Sequence, residues 1–327
     1  MIQQTSEQLF KQIHNYIENL SYTHEPKGLY EPIEYVLSLG GKRLRPVLML
    51  LAYNLYKEDV EQIFPQAAGI ETYHNFTLLH DDLMDKAEMR RGKPVVHKKW
   101  NENTAILSGD AMLILAYQLT MQDCPTAYMR SVMETFSKTT LEVCEGQQWD
   151  MEFETREDVT IEEYIEMIRL KTSVLLAGAL KIGAILGGAP AEDAQCLYDF
   201  GIKMGLAFQL QDDYLDVYGD PAVFGKKIGG DILCNKKTYM LITALNNAEG
   251  NDKEILKYWL EATDFNPDEK IAAVTHIYNK VGIATACKTE IQRYYAEGLA
   301  LLDKVSVEDS LKENLRSFVC RLVDRKL

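Results

Sequence analysis

Apolar side chains recur at three- and four-residue spacing along almost the entire chain, and that period constrains the fold more than any other feature. Leu9, Ile13, Ile17 and Leu20 open the pattern; Val47, Met49, Leu50, Tyr53 and Leu55 continue it, as do Leu113, Leu115, Tyr117 and Leu119. Such residues stripe one face of a helix, whereas the alternation of a half-buried strand is scarce. Breakers gather at THEPKGLYEP, GGKRLRP, RRGKP, LGGAPAED, YGDPAVFGKKIGGD and DFNPDEK, leaving helical runs of roughly 15 to 25 residues between them. No Gly/Ser/Pro-rich linker or low-complexity segment divides residues 1–327. The pattern predicts a single all-α domain: one large helical bundle with short connections and a central cavity into which facing helices project the functional side chains.

Composition narrows the function. With 46% hydrophobic residues in 327, the chain can bury a large core. Its 49 acidic residues against 35 basic ones leave a net charge of -14, which repels a phosphate backbone at long range, so no nucleic-acid partner is expected. Cys124, Cys144, Cys196, Cys234, Cys287 and Cys320 are scattered without a CxxC or Cys/His cluster, the usage of reduced cytosolic thiols. The first segment, MIQQTSEQLFKQIHNYIENL, reads as an amphipathic helix and not as a signal peptide. The apolar stretch SVLLAGALKIGAILGG, residues 173–188, is too short for a membrane span and contains Lys181, so a buried helix is expected there. These features predict a cytoplasmic protein that is not embedded in a membrane.

Two acidic motifs echo each other: LLHDDLMD at residues 78–85 and QLQDDYLD at residues 209–216. On a helix, Asp81 shares a face with Asp85 and Asp212 with Asp216, while Asp82 and Asp213 sit at the edge of that face. Two carboxylates about 5 Å apart repel by roughly 3 kcal/mol at an effective dielectric near 20, so such a cluster inside an apolar frame calls for a proton or a cation. All-oxygen donors without His or Cys suit Mg²⁺, which takes one or two carboxylates and completes its shell with water and phosphate oxygens. The remaining ligands are therefore expected from a phosphorylated substrate.

Basic residues beside glycine turns fit the same substrate. Lys42, Arg43 and Arg45 lie in GGKRLRP, Arg90 and Arg91 in RRGKP, Lys171 in RLKTSVL, and Lys226, Lys227, Lys236 and Lys237 in FGKKIGGDILCNKKT. If the first acidic segment stays helical, Arg90 and Arg91 follow it in the next two turns. Arg grips phosphate oxygens in pairs and Lys supplies a point charge, and the neighbouring glycines let backbone approach closely. Cation sites together with guanidinium groups suggest a pocket for two diphosphates.

The ordered set GGKRLRP, HNFTLLHDDLMDKAEMRRGKP, GQQWD, KTS, FQLQDDYLD and GKKIGGDILCNKKTY resembles the trans-isoprenyl diphosphate synthases of the polyprenyl synthetase family, the short-chain farnesyl and geranylgeranyl type in particular. The resemblance covers residues 40–240 and implies the helical fold of isoprenoid synthases, a homodimer, and head-to-tail condensation of isopentenyl diphosphate with an allylic prenyl diphosphate. It implies about three Mg²⁺ ions bridged by diphosphate: two held by Asp81 and Asp85 with Asp82 in support, one by Asp212 with Asp213 and Asp216. Lys42, Arg45, His74 and Arg91 match positions that bind isopentenyl diphosphate; Arg90, Lys171, Lys226 and Lys236 match those around the allylic diphosphate. Lys226 is preferred to Lys227 because it follows Gly225 directly. Thr172 and Gln209 match residues beside the reacting carbons. Gln147 and Asp150 of GQQWD also fall on a family motif, whereas His80 and His97 are read as structural.

An elongating chain runs down the helix away from the first motif, so Tyr73, Phe76 and Thr77, at eight, five and four positions before Asp81, form its expected floor. In the resembled family a bulky residue at the fifth position accompanies short products, which predicts a C15 to C20 product with geranylgeranyl favoured. The alternatives are a longer-chain synthase, a terpene cyclase and a non-catalytic regulatory subunit. Cyclases need one diphosphate site, and regulatory subunits often lose an aspartate motif; both motifs are intact in this chain.

Overall fold

The computed structural model describes residues 3–22, 24–220 and 228–323. Helices dominate, as the spacing of apolar residues requires. They are α1 (Ser6–Glu18), α2 (Lys27–Ser38), α3 (Leu44–Tyr53), α4 (Phe64–Met84), α5 (Val96–Lys99), α6 (Glu102–Met121), α7 (Thr126–Thr155) and α8 (Ile161–Ile168). There follow α9 (Val174–Gly187), α10 (Ala191–Tyr218), α11 (Gly230–Leu233), α12 (Tyr239–Asn247), α13 (Gly250–Glu261), α14 (Pro267–Lys280), α15 (Ile283–Asp303) and α16 (Asp309–Val323). A 3₁₀ turn, Val60–Ile63, leads into α4, and a π turn, Arg169–Ser173, joins α8 to α9. Helix lengths spread beyond the expected range, from 30 residues in α7 to 4 in α5 and α11.

Local chemistry sets several starts. Thr5 caps α1 and Thr160 caps α8, each in a reciprocal capping box with the Gln8 or Glu163 side chain, and Asn266 caps α14 through the Asp268 and Glu269 N–H groups. One element departs from the sequence reading. Arg90 and Arg91 do not continue a helix: α4 stops at Met84, and Met89–Arg90 (β1) pairs antiparallel with Lys93–Pro94 (β2). The two-residue loop between them, Arg91–Gly92, has φ of 53° and 74°. Positive φ at both loop positions is the backbone of a tight hairpin, and glycine accepts it without strain.

By Cα proximity the chain forms two compact units, each assembled from separated stretches. The first comprises residues 1–137, 178–197 and 305–315. Its long helix α4 packs against α6, α3, α1 and α2, and Leu9, Ile13, Ile33, Leu50, Ile70 and Met112 are buried in its core. The second comprises residues 138–177, 198–304 and 316–327. Its core joins Tyr164, Met167 and Ile168 to Leu210, Leu241, Ile277 and Ile283. Each unit carries one of the acidic motifs.

Among the described residues, two helical runs could cross a membrane by length and composition alone, Glu102–Met121 and Ile161–Gly187. The expectation that the stretch at 173–188 is too short needs correction, because the π turn splices it onto α8 and extends the run to 27 residues. Of its most apolar window 78% is buried inside the protein, as befits a core helix, against 39% for Glu102–Met121.

Candidate active site

In the first unit the last turns of α4 present Asp81 half-buried and Asp82 buried, and Asp85 follows the helix as its C-cap. The sequence echo between the motifs thus hides a difference: the first motif ends its helix, while the second lies inside α10. Arg90 reaches back from the hairpin, its Nε 2.8 Å from Asp82 Oδ2 and its Nη2 3.7 Å from Asp81 Oδ2. The pairing answers the repulsion that the aspartate pair would otherwise suffer. Arg91 donates to the Gly40 carbonyl, which ties the hairpin to the GGKRLRP turn. A pocket of about 320 Å³ is lined by Tyr35, Asn75, Leu79, Asp82, Arg90 and Arg91 among others.

The GGKRLRP turn is anchored by Arg43, which the sequence grouped with the phosphate-suited cations and which the structure instead engages in a buried ion pair. Arg43, at φ 45°, is buried and puts Nη1 2.8 Å from Glu71 Oε1 and Nη2 3.0 Å from the Leu37 carbonyl. Removing either member would strand a buried charge. Lys42 is exposed and Arg45 half-buried. Burial lowers the Arg45 guanidinium to about 10 despite the opposing Glu71 charge. Burial first, then Arg45, Arg91, Arg90 and Arg43, hold His74 well below the ordinary imidazole value. A neutral imidazole in a field of arginines is a poor proton acceptor and a good hydrogen-bond donor to an anion.

Tyr73 is fully buried and Phe76 nearly so, with ring centroids 5.4 Å apart. Tyr73 also meets Phe136 at 5.9 Å. Thr77 spends its hydroxyl on the His74 carbonyl at 2.8 Å. Of the three expected floor residues, the two aromatics therefore supply the bulk.

In the second unit the KTS motif falls on the π turn. The wider turn is wedged between two glycines: a Cβ on Gly146 of α7 would lie 2.3 Å from the Lys171 nitrogen, and one on Gly205 of α10 would lie 2.5 Å from Ser173 Cα. π turns interrupt helices mostly as single turns and often at functional sites. Lys171 Nζ donates to Asp150 Oδ2 at 2.6 Å, which gives the aspartate of GQQWD a partner that the sequence did not assign. Burial opposes ionisation of Asp150, but Lys236 and Lys171 outweigh it and hold the carboxyl below its ordinary value.

A chain of hydrogen bonds continues from the π turn. Thr172 Oγ1 donates to Gln209 Oε1 at 3.0 Å, Gln209 Nε2 donates to Asp213 Oδ1 at 2.9 Å, and the buried Tyr164 hydroxyl donates to Asp213 Oδ2. Asp216 Oδ2 accepts from the Asp231 N–H at 2.9 Å, closing the 229–231 segment onto α10. Burial raises Asp213 to about 6, with Asp212 adding to the rise and Lys236, Tyr164 and Gln209 opposing it. Burial and then Asp213 raise Asp231 to about 7, again opposed by Lys236. Tyr164 and Asp231 were missed in the sequence. Tyr164 stands two helical turns before Lys171, and Asp231 directly follows the glycine pair, so spacing held a faint signal for each. Lys226 and Lys227 lie outside the described residues.

Among the described residues, no three His, Cys, Asp or Glu side chains converge to hold a metal ion by themselves. The donors nevertheless suit Mg²⁺: hard carboxylate oxygens, crowded enough that burial and repulsion push two of them upward, with phosphate and water to complete the shell. The carboxylates of the two motifs are able to share a cation, and the guanidinium and ammonium groups described with them are suited to phosphate. That combination on an all-α scaffold is the equipment of a diphosphate-handling enzyme.

The chain matches the family model for polyprenyl synthetase over residues 26–280 and belongs to that family. It is 44% identical over 230 residues to a geranylgeranyl diphosphate synthase of Methanosarcina mazei, spanning 70% of this chain and 71% of that one. It is 38% identical over 289 residues to a short chain isoprenyl diphosphate synthase of Methanothermobacter thermautotrophicus, spanning 88% of each. A crystal structure of a geranylgeranyl pyrophosphate synthase superposes with a TM-score of 0.92 at 44% identity, covering 99% of this chain and 100% of the other. The all-α fold is thus that of isoprenyl diphosphate synthases.

Proposed function

We propose that the protein condenses isopentenyl diphosphate with an allylic prenyl diphosphate head to tail and releases a linear trans-prenyl diphosphate, chiefly C20. The observation that carries this reading is the hydrogen-bonded run from Thr172 through Gln209 to Asp213, with Lys171 beside it on Asp150. It joins groups that would face the reacting carbons to a carboxylate that would face the cation. Names of relatives add weight, since a geranylgeranyl diphosphate synthase and a short chain synthase share the sequence so closely.

In this reading Asp81, Asp82 and Asp85 with Asp212, Asp213 and Asp216 would hold about three Mg²⁺ ions, which would neutralise the charge that builds on the allylic diphosphate as it leaves. Arg90, Lys171, Lys226 and Lys236 grip the same diphosphate, while Lys42, Arg45, His74 and Arg91 hold isopentenyl diphosphate. The allylic C–O bond breaks with its electron pair leaving on diphosphate. Thr172 and Gln209 turn oxygen dipoles toward the cationic carbon. The isopentenyl double bond then attacks that carbon, and the proton lost in re-forming a double bond passes to the released diphosphate. Neutral His74 is not the base. Tyr73 and Phe76 stop growth of the chain. The protein works in the cytoplasm, outside the membrane, and as a homodimer.

Incorporation of labelled isopentenyl diphosphate into acid-labile prenyl diphosphate tests the reading. It should require Mg²⁺ and vanish on chelation with EDTA; undiminished incorporation in EDTA would contradict the role given to the aspartates.

A further inference from the structure

Lys270 on α14 is 1% exposed, and no carboxylate among the described residues pairs with it. An ammonium is strongly hydrated, and taking it out of water without a counter-charge is costly, so an apolar side chain would serve packing better. What Lys270 does contact is specific. Its Nζ donates to Asn235 Oδ1 at 2.6 Å and to the Leu233 carbonyl at 3.5 Å, and lies 4.3 Å from the centre of the Phe265 ring. Two oxygens of one turn thus converge on a single buried cation.

Asn235 is the strained residue of that turn, at φ 55°. Asn tolerates the left-handed region better than most residues, and here both ends of its amide are engaged: Oδ1 by Lys270, and Nδ2 by the Leu260 carbonyl at 2.9 Å. The next residue is Lys236, whose N–H donates to the Asp231 carbonyl at 2.9 Å. Asp231, Asn235, Lys236 and Lys270 line one pocket of about 350 Å³. Lys236 is also the charge that most opposes burial at Asp150 and Asp213.

We infer that Lys270, acting through Asn235, is a positioning residue that fixes the place from which Lys236 reaches the allylic diphosphate. Lys270 itself does not touch substrate. Its ammonium organises the turn as a small bound cation would, and Lys236 is launched from a backbone that cannot shift. This inference rests on the reading of Lys236 as an allylic-diphosphate ligand, and the experiment keeps the two apart.

Steady-state KM values for both substrates are measured for the parent protein, Lys236→Ala, Lys270→Met and Asn235→Gly. Lys236→Ala should raise the KM of the allylic diphosphate. Lys270→Met, which keeps length and removes charge, and Asn235→Gly, which keeps the backbone and removes the amide, should each raise the same KM about tenfold, the low end of the effect of losing a supporting partner. The KM of isopentenyl diphosphate should stay within about twofold. If Lys270→Met does not fold, Asn235→Gly decides alone. If only Lys236→Ala raises the allylic KM, or if the two KM values rise together in the other variants, the positioning role is overturned. If Lys236→Ala leaves the allylic KM unchanged, the reading of Lys236 fails and the inference with it.

Discussion

Burying the His74 imidazole among four arginines makes one proton matter to stability. Its folded-state value lies well below the ordinary 6.5, burial being the largest cause. The unfolded chain therefore binds a proton that the folded chain refuses, so the contribution is fully present above about pH 6.5 and is lost as pH falls below it. Replacing His74 with Gln should flatten the acid-side fall of the melting temperature over pH 6.5 to 5, measured against the parent; an unchanged slope would contradict the assignment. Phe76→Ala should lengthen the product, seen by sizing dephosphorylated prenols, and an unchanged size distribution would remove Phe76 from the floor. At this scale the aspartates, Lys171, Thr172 and Gln209 could be picked out as candidates because short motifs carry them. Arg43 with Glu71 could not, since 28 residues separate the partners and only the fold brings them together. Tyr164 and Asp213, 49 residues apart, escaped for the same reason.

At the scale of elements, the helices were legible from the three-four period and from caps such as Thr5 and Thr160. The hairpin was not, because strands of two residues have no period to read, although the glycine of RRGKP between them is a turn signal. The π turn was hidden as well: residues 161–187 keep an apolar helical pattern throughout, and what makes room for the wider turn is the pair of glycines on α7 and α10. Gly146→Ala and Gly205→Ala should each destabilise by about 1–3 kcal/mol through overpacking. Both should lower kcat by displacing Lys171 and Thr172. Gly298→Ala is the matched comparison, because its added carbon would meet the flexible end of Met204 and not backbone. Urea unfolding and turnover of the three variants separate these cases, and equal effects of all three would count against a special role for the π turn.

For the whole molecule, the homodimer proposed above leaves open which helices would pair two copies. α6 offers a face: Leu107 is 60% and Ile114 61% exposed, with Ile106 and Met121 beside them. Exposed apolar residues grouped on one helix face mark an interaction surface. Combined Leu107→Asp and Ile114→Asp substitution should convert a dimer to a monomer in sedimentation velocity, and a persistent dimer would place the interface elsewhere. The chain's overall class was legible because patterning and motifs agreed, whereas the division into two compact units was not, since each unit draws on stretches far apart in sequence. Elongation itself is decided by one incubation: protein, Mg²⁺, labelled isopentenyl diphosphate and, separately, the C5, C10 and C15 allylic diphosphates, with the products dephosphorylated and sized. Linear alcohols ending at C20 are expected; no incorporation from any starter would overturn the proposed condensation.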